Sequence, residues 1–121
     1  MTTVKKVNLS VVLATYNEEA NLGRCLESVK GIADEIVIAD ESSTDRTLQI
    51  AKKFKARIIP TDHKSNFHIT KNLAIDAAMG DWILQLDADE VVSPELSSEV
   101  KKIIKDTKFN GFWINRKNWF L

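Results

Sequence analysis

The sequence has little of several residue types on which common functions depend. It contains one cysteine, Cys25, so an internal disulfide is excluded, and this usage suits a reducing compartment. Its four glycines form no glycine-rich phosphate loop after the first apolar run. Lys and Arg number 17, as do Asp and Glu, and this balance argues against non-specific nucleic-acid binding, which needs a basic surface.

Long hydrophobic runs are also missing. No apolar stretch is long enough to span a membrane, and the N-terminus has no secretory signal pattern. Hydrophobic residues make up 44% of the 121 residues and charged residues 28%, as in soluble globular proteins. The sequence has no repeat, low-complexity tract or linker. These features predict a single cytoplasmic domain over residues 1–121 with a hydrophobic core of its own.

Apolar runs alternate with helical periodicities along the chain. The predicted strands cover residues 9–14, 35–39, 56–60, 82–86 and 112–115. Strands that alternate with helices are typical of a mostly parallel sheet with helices on both faces. The predicted fold class is therefore α/β with three layers.

Capping signals predict the ends of four helices between these strands. Asn17 is expected to cap the first, the hydroxyl residues 42–44 to cap the second, and Ser93 the fourth, with Pro94 at its first position. Gly80 in a left-handed conformation is expected to end the third. The side chains expected to face the core are those of Leu22, Leu26, Val29, Leu48, Ala51, Phe54, Leu73, Ala74, Ala77, Ala78, Leu96, Val100, Ile103 and Ile104.

Three carboxylates follow the fourth predicted strand within four residues: Asp87, Asp89 and Glu90. They fall at the C-terminal end of the strand, where open α/β sheets bind ligands. Crowded carboxylates repel one another unless a cation lies among them, and Mg²⁺ and Mn²⁺ prefer oxygen ligands. Alternation puts Asp87 and Asp89 on the same side of the strand if the strand extends that far. The segment indicates a metal site that also binds a diphosphate, with a polar turn leading to Ser93 as the alternative.

Two further loops follow predicted strands. The first runs from Ala14 to Glu19, where free N–H groups at a helix start can hold an anion and Tyr16 can stack on a nucleobase. The second begins with Asp40 and Glu41, and an acid there can accept hydrogen bonds from a ribose hydroxyl or a pyrimidine N–H. Ordinary capped loops are the alternative for both, but capping does not explain adjacent acids at a strand end.

Four other side chains have less specific interpretations. Lys71, expected near the start of the third helix, could reach a phosphate or could be a solvated helix lysine. His63 and His68 have no partners at zinc spacings and are interpreted as polar loop groups. Cys25 is interpreted as a small core residue.

Four segments, taken in order, carry a resemblance to a known family. They are LSVVLATYNEEANLGRCLESV (9–29), EIVIADESSTDRT (35–47), KNLAIDAAMGDWILQLDADE (71–90) and GFWINRKNWFL (111–121). Together they resemble glycosyltransferase family 2, whose nucleotide-sugar-binding half has the Rossmann-like GT-A fold. The chain is most similar to the branch that includes lipopolysaccharide-core glycosyltransferases, where a basic residue followed by asparagine, GDW and DADE recur.

The resemblance implies a donor site for a UDP-sugar. The implied substrate-binding residues are Ala14, Thr15, Tyr16, Glu18, Asp40, Glu41, Lys71 and Asp87. Within this set, Ala14 and Tyr16 would line the nucleobase pocket, and Asp40 with Glu41 would hold the uridine. Glu41 stands where the family often has Asp, Ser or Gly, so this chain departs from the family pattern at the uridine contact.

The resemblance also implies a cofactor, Mg²⁺ or Mn²⁺. Asp89 would ligate the cation that bridges the diphosphate, Asp87 would lie near the ribose or share the cation, and Lys71 would neutralise phosphate charge. The implied reaction is transfer of the sugar, with inversion, to a hydroxyl of a glycan or lipid-linked acceptor. The implied role is in the synthesis of lipopolysaccharide or another cell-envelope glycan. The metal would stabilise charge on the leaving diphosphate, and a carboxylate base would take the acceptor's proton.

No residue of this chain matches the family's catalytic base by motif, and Glu90 is the only nearby carboxylate that could be proposed for that role. The resemblance therefore implies the donor-binding half of an enzyme, without its acceptor-binding half. The full-length enzyme would be cytoplasmic and peripheral at the inner face of a membrane, with no integral membrane segment in this half.

One alternative class of function is retained, and two others are disfavoured because their motifs are missing. A nucleotide-sugar-binding module without catalysis, or an inactive fragment, would bind the donor and transfer nothing. A phosphoacceptor signalling domain requires paired acids directly after the first strand, which here ends in Ala-Thr-Tyr-Asn. A nucleotidyltransferase requires a glycine-rich phosphate loop after that strand, and the sequence has none.

Overall fold

The structure, a computed structural model, describes residues 7–63 and 66–105, in which strands and helices alternate. The strands are β1 (Leu9–Thr15), β2 (Glu35–Asp40), β3 (Arg57–Pro60) and β4 (Trp82–Gln85). The helices are α1 (Leu22–Val29), α2 (Thr47–Lys53), α3 (Phe67–Ala77) and α4 (Pro94–Lys105). The predicted strand over residues 112–115 lies outside the described residues. None of the four described helices has both the length and the apolar character needed to cross a membrane.

The four strands form one sheet in the order β3-β2-β1-β4, and every neighbouring pair is parallel. β1 is central, with Val11 opposite Ile36 of β2 on one side and Leu84 of β4 on the other. All residues of β1 are buried, as expected of a parallel strand that is covered on both faces. The predicted α/β class is confirmed, and each of these four strands agrees with its prediction to within one residue at either end.

Side chains of the central strands alternate between two cores on opposite faces of the sheet. On one face, Leu13 of β1 belongs to a large core that Leu26 of α1, together with α2 and α4, completes. On the other face, Val12 and Val37 form a smaller core with Ala74 of α3. Helices therefore cover both faces, which gives the predicted three layers.

One predicted core residue of α3 faces outward instead. Leu73 is 36% exposed, whereas Thr70 and Ala74 are fully buried. Residues four apart lie on the same face of a helix, so α3 turns Thr70 and Ala74 towards the sheet and leaves Leu73 at the boundary with solvent.

The predicted caps of α1 and α2 are wrong because the capping side chains have tertiary partners. Asn17 lies in the left-handed region, with φ 51°, and its side-chain oxygen accepts the N–H of Thr44 at 2.8 Å. The first residues of α1 therefore come several positions later than predicted. None of the hydroxyls of residues 42–44 caps α2, where the Asp45 carboxylate accepts the N–H of Thr47 at 2.9 Å.

The predicted cap of α4 is confirmed, whereas the predicted conformation of Gly80 is not. Ser93 Oγ accepts the N–H of Leu96 at 3.1 Å and Pro94 is the first residue of α4, so this predicted cap is confirmed. Gly80 is not left-handed, and that prediction is wrong. A Cβ atom on Gly80 would lie 2.6 Å from Ser10 Oγ and 2.8 Å from Ser10 N. Close approach of the chain to β1, rather than backbone conformation, is what requires glycine here.

Glu35 of β2 interacts with β1, β3 and the segment before β4 at the N-terminal edge of the sheet. Its Oε2 accepts the Ser10 hydroxyl at 2.5 Å and the N–H of Met79 at 2.6 Å, and its Oε1 lies 3.2 Å from the Arg57 guanidinium. Burial acts to raise the pKa of Glu35, but the hydrogen bonds and the charge of Arg57 outweigh it and hold the pKa below its usual value. The ionised carboxylate therefore stabilises this edge.

Candidate functional site

The loops that follow β1, β2 and β4 lie at one edge of the sheet. Because the strands are parallel, their C-terminal ends share this edge, where open α/β sheets bind ligands. The topology thus brings together the three candidate binding segments of the sequence, which are residues 14–19 and the segments that begin at Asp40 and Asp87. We call this the C-terminal edge.

Asp40 is buried at the centre of this edge and is 1% exposed. Its Oδ1 accepts the Thr15 hydroxyl at 2.6 Å and the Ser43 hydroxyl at 2.7 Å, and its Oδ2 accepts the N–H of Ser43 at 2.9 Å. Ala14 and Thr15 are also buried, whereas Tyr16 is 37% exposed. Asp40 therefore joins the ends of β1 and β2 and orders the start of the loop after β2.

The loops after β1 and β2 are interlocked by backbone hydrogen bonds to side chains. The N–H of Asn17 donates to Ser43 Oγ at 2.9 Å, and the N–H of Glu18 donates to Thr47 Oγ1 at 2.8 Å. In return, Asn17 Oδ1 accepts the N–H of Thr44 at 2.8 Å. The expectation of free N–H groups before α1 is wrong for Asn17, Glu18 and Glu19, since the second loop supplies their acceptors.

Glu41 is fully buried next to Asp40 and is bonded to residues distant in sequence. Its Oε2 accepts the hydroxyl of Thr70 on α3 at 2.5 Å, and its Oε1 lies 2.8 Å from Nδ1 of His63. The His63 ring stacks on Tyr16, with ring centroids 4.0 Å apart and planes at 22°. His63 lies in a loop, as predicted, but its contacts with Glu41 and Tyr16 were not, and its only sequence signal is its position just after β3. His68 was also predicted to lie in a loop, and that prediction is wrong, because His68 lies in the first turn of α3.

The segment after β4 forms a tight turn that carries acidic side chains. The N–H of Asp87 donates to Glu90 Oε1 at 2.6 Å, and Asp87 Oδ1 lies 3.0 Å from Nζ of Lys71. Lys71 is in the second turn of α3, so α3 directs its ammonium group to this edge. The Asp89 side chain is exposed. Both interpretations of the acidic segment, a turn and a ligand site, are compatible with this geometry.

The negative potential of the turn affects Cys25, which is buried in α1 beneath it. Burial, followed by the charges of Glu90, Asp89 and Asp87, raises the pKa of the Cys25 thiol to about 12. Its Sγ lies 3.7 Å from the carbonyl oxygen of Asp87 and donates a weak hydrogen bond to it. The interpretation of Cys25 as a core residue agrees with its burial, and the thiol stays protonated at neutral pH.

The acidic turn offers carboxylate oxygens to a divalent cation. Within residues 7–63 and 66–105, no three Asp, Glu, His or Cys side chains are grouped so that they could hold an ion. Asp87, Asp89 and Glu90, with Val91, line an open depression of about 360 Å³. A Mg²⁺ or Mn²⁺ ion bound with a nucleotide takes one or two carboxylates and completes its shell from phosphates and water. The donor set fits a cation of that kind and does not form a protein-only cage.

Comparisons with known proteins identify the family through a family model. The model of glycosyl transferase family 2 matches residues 10–120. The chain is 39% identical over 95 residues to an uncharacterized glycosyltransferase of Rickettsia typhi, covering 78% of this chain and 32% of the relative. It is 38% identical over 109 residues to a TPR repeat-containing protein of Synechococcus elongatus, covering 90% of this chain and 27% of the relative. The chain thus spans about a third or less of these relatives.

Solved structures share the fold and include nucleotide complexes. S. aureus TarS in complex with UDP superposes with a TM-score of 0.64 at 28% identity, covering 80% of this chain and 32% of that one. Glucosyl-3-phosphoglycerate synthase of Mycobacterium tuberculosis, in complex with Mn²⁺ and UDP-glucose, superposes with a TM-score of 0.57 at 26% identity, covering 70% and 34%. The Rossmann-like GT-A class that the sequence resemblance implies is confirmed.

Proposed function

The chain belongs to glycosyl transferase family 2, and on that premise we propose that it forms the donor-binding part of an enzyme that uses a UDP-sugar and a divalent cation. The observation that carries the proposal is the C-terminal edge, where an exposed Tyr16, the buried Asp40 and the acidic turn at Asp87 follow three adjacent strands. Similar structures bind UDP, and one also binds Mn²⁺.

We assign the nucleoside to the loops after β1 and β2. Tyr16 offers an exposed ring for stacking on the base, beside Ala14, Thr15 and Glu18. Asp40, with Glu41, is proposed to hold the uridine. Asp40 is 1% exposed and accepts three hydrogen bonds within the chain, so it supports this proposal by ordering the loops after β1 and β2 that would surround the uridine.

The diphosphate and its cation belong, in this proposal, to the acidic turn. Asp89, assisted by Asp87, would hold Mg²⁺ or Mn²⁺, and the bound cation would supply Lewis-acid stabilisation of charge on the leaving diphosphate. The ammonium of Lys71 lies 3.0 Å from Asp87 and would add a positive charge for the phosphates. The Glu90 side chain accepts the N–H of Asp87, so it is engaged in shaping the turn.

The finer features of the reaction are also proposals. We propose transfer with inversion to a hydroxyl of a glycan or lipid-linked acceptor in lipopolysaccharide or other cell-envelope synthesis, by an enzyme peripheral to the inner face of the membrane. The base that takes the acceptor's proton would come from a part of the enzyme that this chain does not include. A binding module without catalysis is the alternative, and sugar transfer by the full-length protein would exclude it.

Calorimetric titration of UDP into the folded chain tests the donor site. We expect binding in the presence of Mn²⁺, loss of most of that binding with EDTA, and an affinity lower by at least about tenfold for Asp89→Asn. Asp76→Asn is the matched control, because Asp76 is an exposed aspartate of α3. No binding of UDP with Mn²⁺ by a folded wild-type chain would contradict the proposed function.

A further inference from the structure

Neither the cation nor the diphosphate accounts for a chain of side-chain contacts at the C-terminal edge. It begins at Thr70 on α3, passes through Glu41 and His63, and ends at Tyr16 after β1. The first two residues are fully buried and the last two are partly exposed. The chain of contacts therefore leads from the core to the ring that is proposed to meet the nucleobase.

Glu41 fixes the inner end of this chain. A buried carboxylate is costly unless hydrogen bonds compensate it. Glu41 has such bonds, since its Oε2 accepts the Thr70 hydroxyl at 2.5 Å and its Oε1 lies 2.8 Å from Nδ1 of His63. Because α3 and β2 hold Thr70 and Glu41 in place, the position of Nδ1 of His63 is set by the core of the protein.

His63 in turn fixes the ring of Tyr16. Their centroids are 4.0 Å apart and the planes differ by 22°, which is a stacked arrangement. Tyr16 is 37% exposed, and the imidazole covers one face of its ring, so His63 restricts the orientation of the ring. Ordering an exposed side chain when a ligand binds lowers affinity, and an ordered ring avoids that cost.

We propose that His63 is a positioning residue for the donor nucleobase: Glu41 orients its imidazole, and the imidazole holds Tyr16 in the orientation in which the base stacks. This inference rests on the proposed function, since it assigns the base to Tyr16. It also gives a role to Glu41, the residue at which this chain departs from the usual family pattern. His63 contributes to affinity through Tyr16 and takes no part in binding the cation.

The test compares UDP with inorganic pyrophosphate, which has no base, by calorimetry in the presence of Mn²⁺. His63→Ala should lower UDP affinity roughly three- to tenfold, the range expected for a lost aromatic pair, and leave pyrophosphate affinity unchanged. His63→Gln should lose UDP affinity to the same extent while it keeps a polar partner for Glu41. His68→Ala is the matched control, because His68 is the other histidine and is exposed on the first turn of α3.

Three results separate the hypotheses. UDP affinity unchanged in folded His63→Ala would overturn the positioning role, and so would equal losses for UDP and pyrophosphate, which indicate general damage. Failure of the folded wild-type chain to bind UDP would instead contradict the proposed function itself.

The stack of Tyr16 on His63 can also be tested without a ligand, because Tyr16 is the only tyrosine and its ring resonances are unique in an NMR spectrum. These resonances should shift in His63→Ala, and unchanged shifts would show that the rings do not stack.

Discussion

At the residue scale, Asp40 and Glu41 are sequence neighbours with different partners. Asp40 bonds to Thr15 and Ser43 and so fixes the loops on either side of it, whereas Glu41 bonds to Thr70 and His63 across the sheet edge. Both carboxylates are buried and both have hydrogen-bond partners. The adjacent acids that capping does not explain are therefore the organising groups of the C-terminal edge.

Gly80 gives a prediction at the same scale. Gly80→Ala places a Cβ atom 2.6 Å from Ser10 Oγ and 2.8 Å from Ser10 N, and the second contact is with the backbone of the central strand. Because that strand cannot move away without disturbing its neighbours, we expect a loss of about 1–3 kcal/mol in the free energy of unfolding. Urea denaturation followed by circular dichroism measures this change.

Gly31 provides the matched control for that substitution. A Cβ atom there meets no other atom within 4 Å, so Gly31→Ala should leave the unfolding free energy within about 0.5 kcal/mol of the wild-type value. Equal effects of the two substitutions would contradict the argument from close approach.

At the scale of elements, strands were easier to predict than helix starts. Both faces of the sheet are covered, so nearly every residue of β1 and β2 is buried. This burial requires continuous apolar runs, which can be recognised in the sequence. The predicted cap of α1 at Asn17 is wrong because an asparagine side chain can either cap a helix or bond to a distant loop. Here the side chain of Asn17 bonds to Thr44. Ser93 capped as predicted, since its partner is local.

Glu35 gives a prediction about pH at this scale. Its pKa in the folded chain lies below the ordinary value of 4.5, so ionised Glu35 stabilises the fold at neutral pH. That stabilisation is lost as the pH falls below about 4.5 and through the lower folded pKa. Glu35→Gln should therefore have a lower melting temperature than the wild type at pH 7, and the difference should shrink towards pH 3.

The control for Glu35 is Glu27→Gln. Glu27 is exposed and its contact with Lys30, at 2.5 Å, is a surface ion pair of little net value. The melting temperature of Glu27→Gln should therefore equal that of the wild type at both pH 7 and pH 3. A difference between Glu35→Gln and the wild type that is the same at pH 7 and pH 3 would refute the linkage argument.

At the scale of the whole molecule, the sheet order explains which residues of the candidate site could be found from sequence. Asp40 and Asp87 directly follow predicted strands, so parallel topology alone brings them to one edge. The pairing of Glu41 with His63 depends on how two loops and α3 meet, and no spacing in the sequence encodes it. The site is therefore predictable in its location and acidic character, but not in its internal contacts.

The location of nucleotide binding can be measured by ¹⁵N NMR of the labelled chain with UDP and Mg²⁺, followed by trace Mn²⁺. We predict that amide resonances after β1, β2 and β4 shift, including those of Tyr16 and Glu41, and that Mn²⁺ broadens resonances most strongly around Asp89. Resonances at the opposite edge, such as those of Glu35 and Met79, should not change. Perturbations confined to that opposite edge, or none in a folded sample, would contradict the assignment of the C-terminal edge as the donor site.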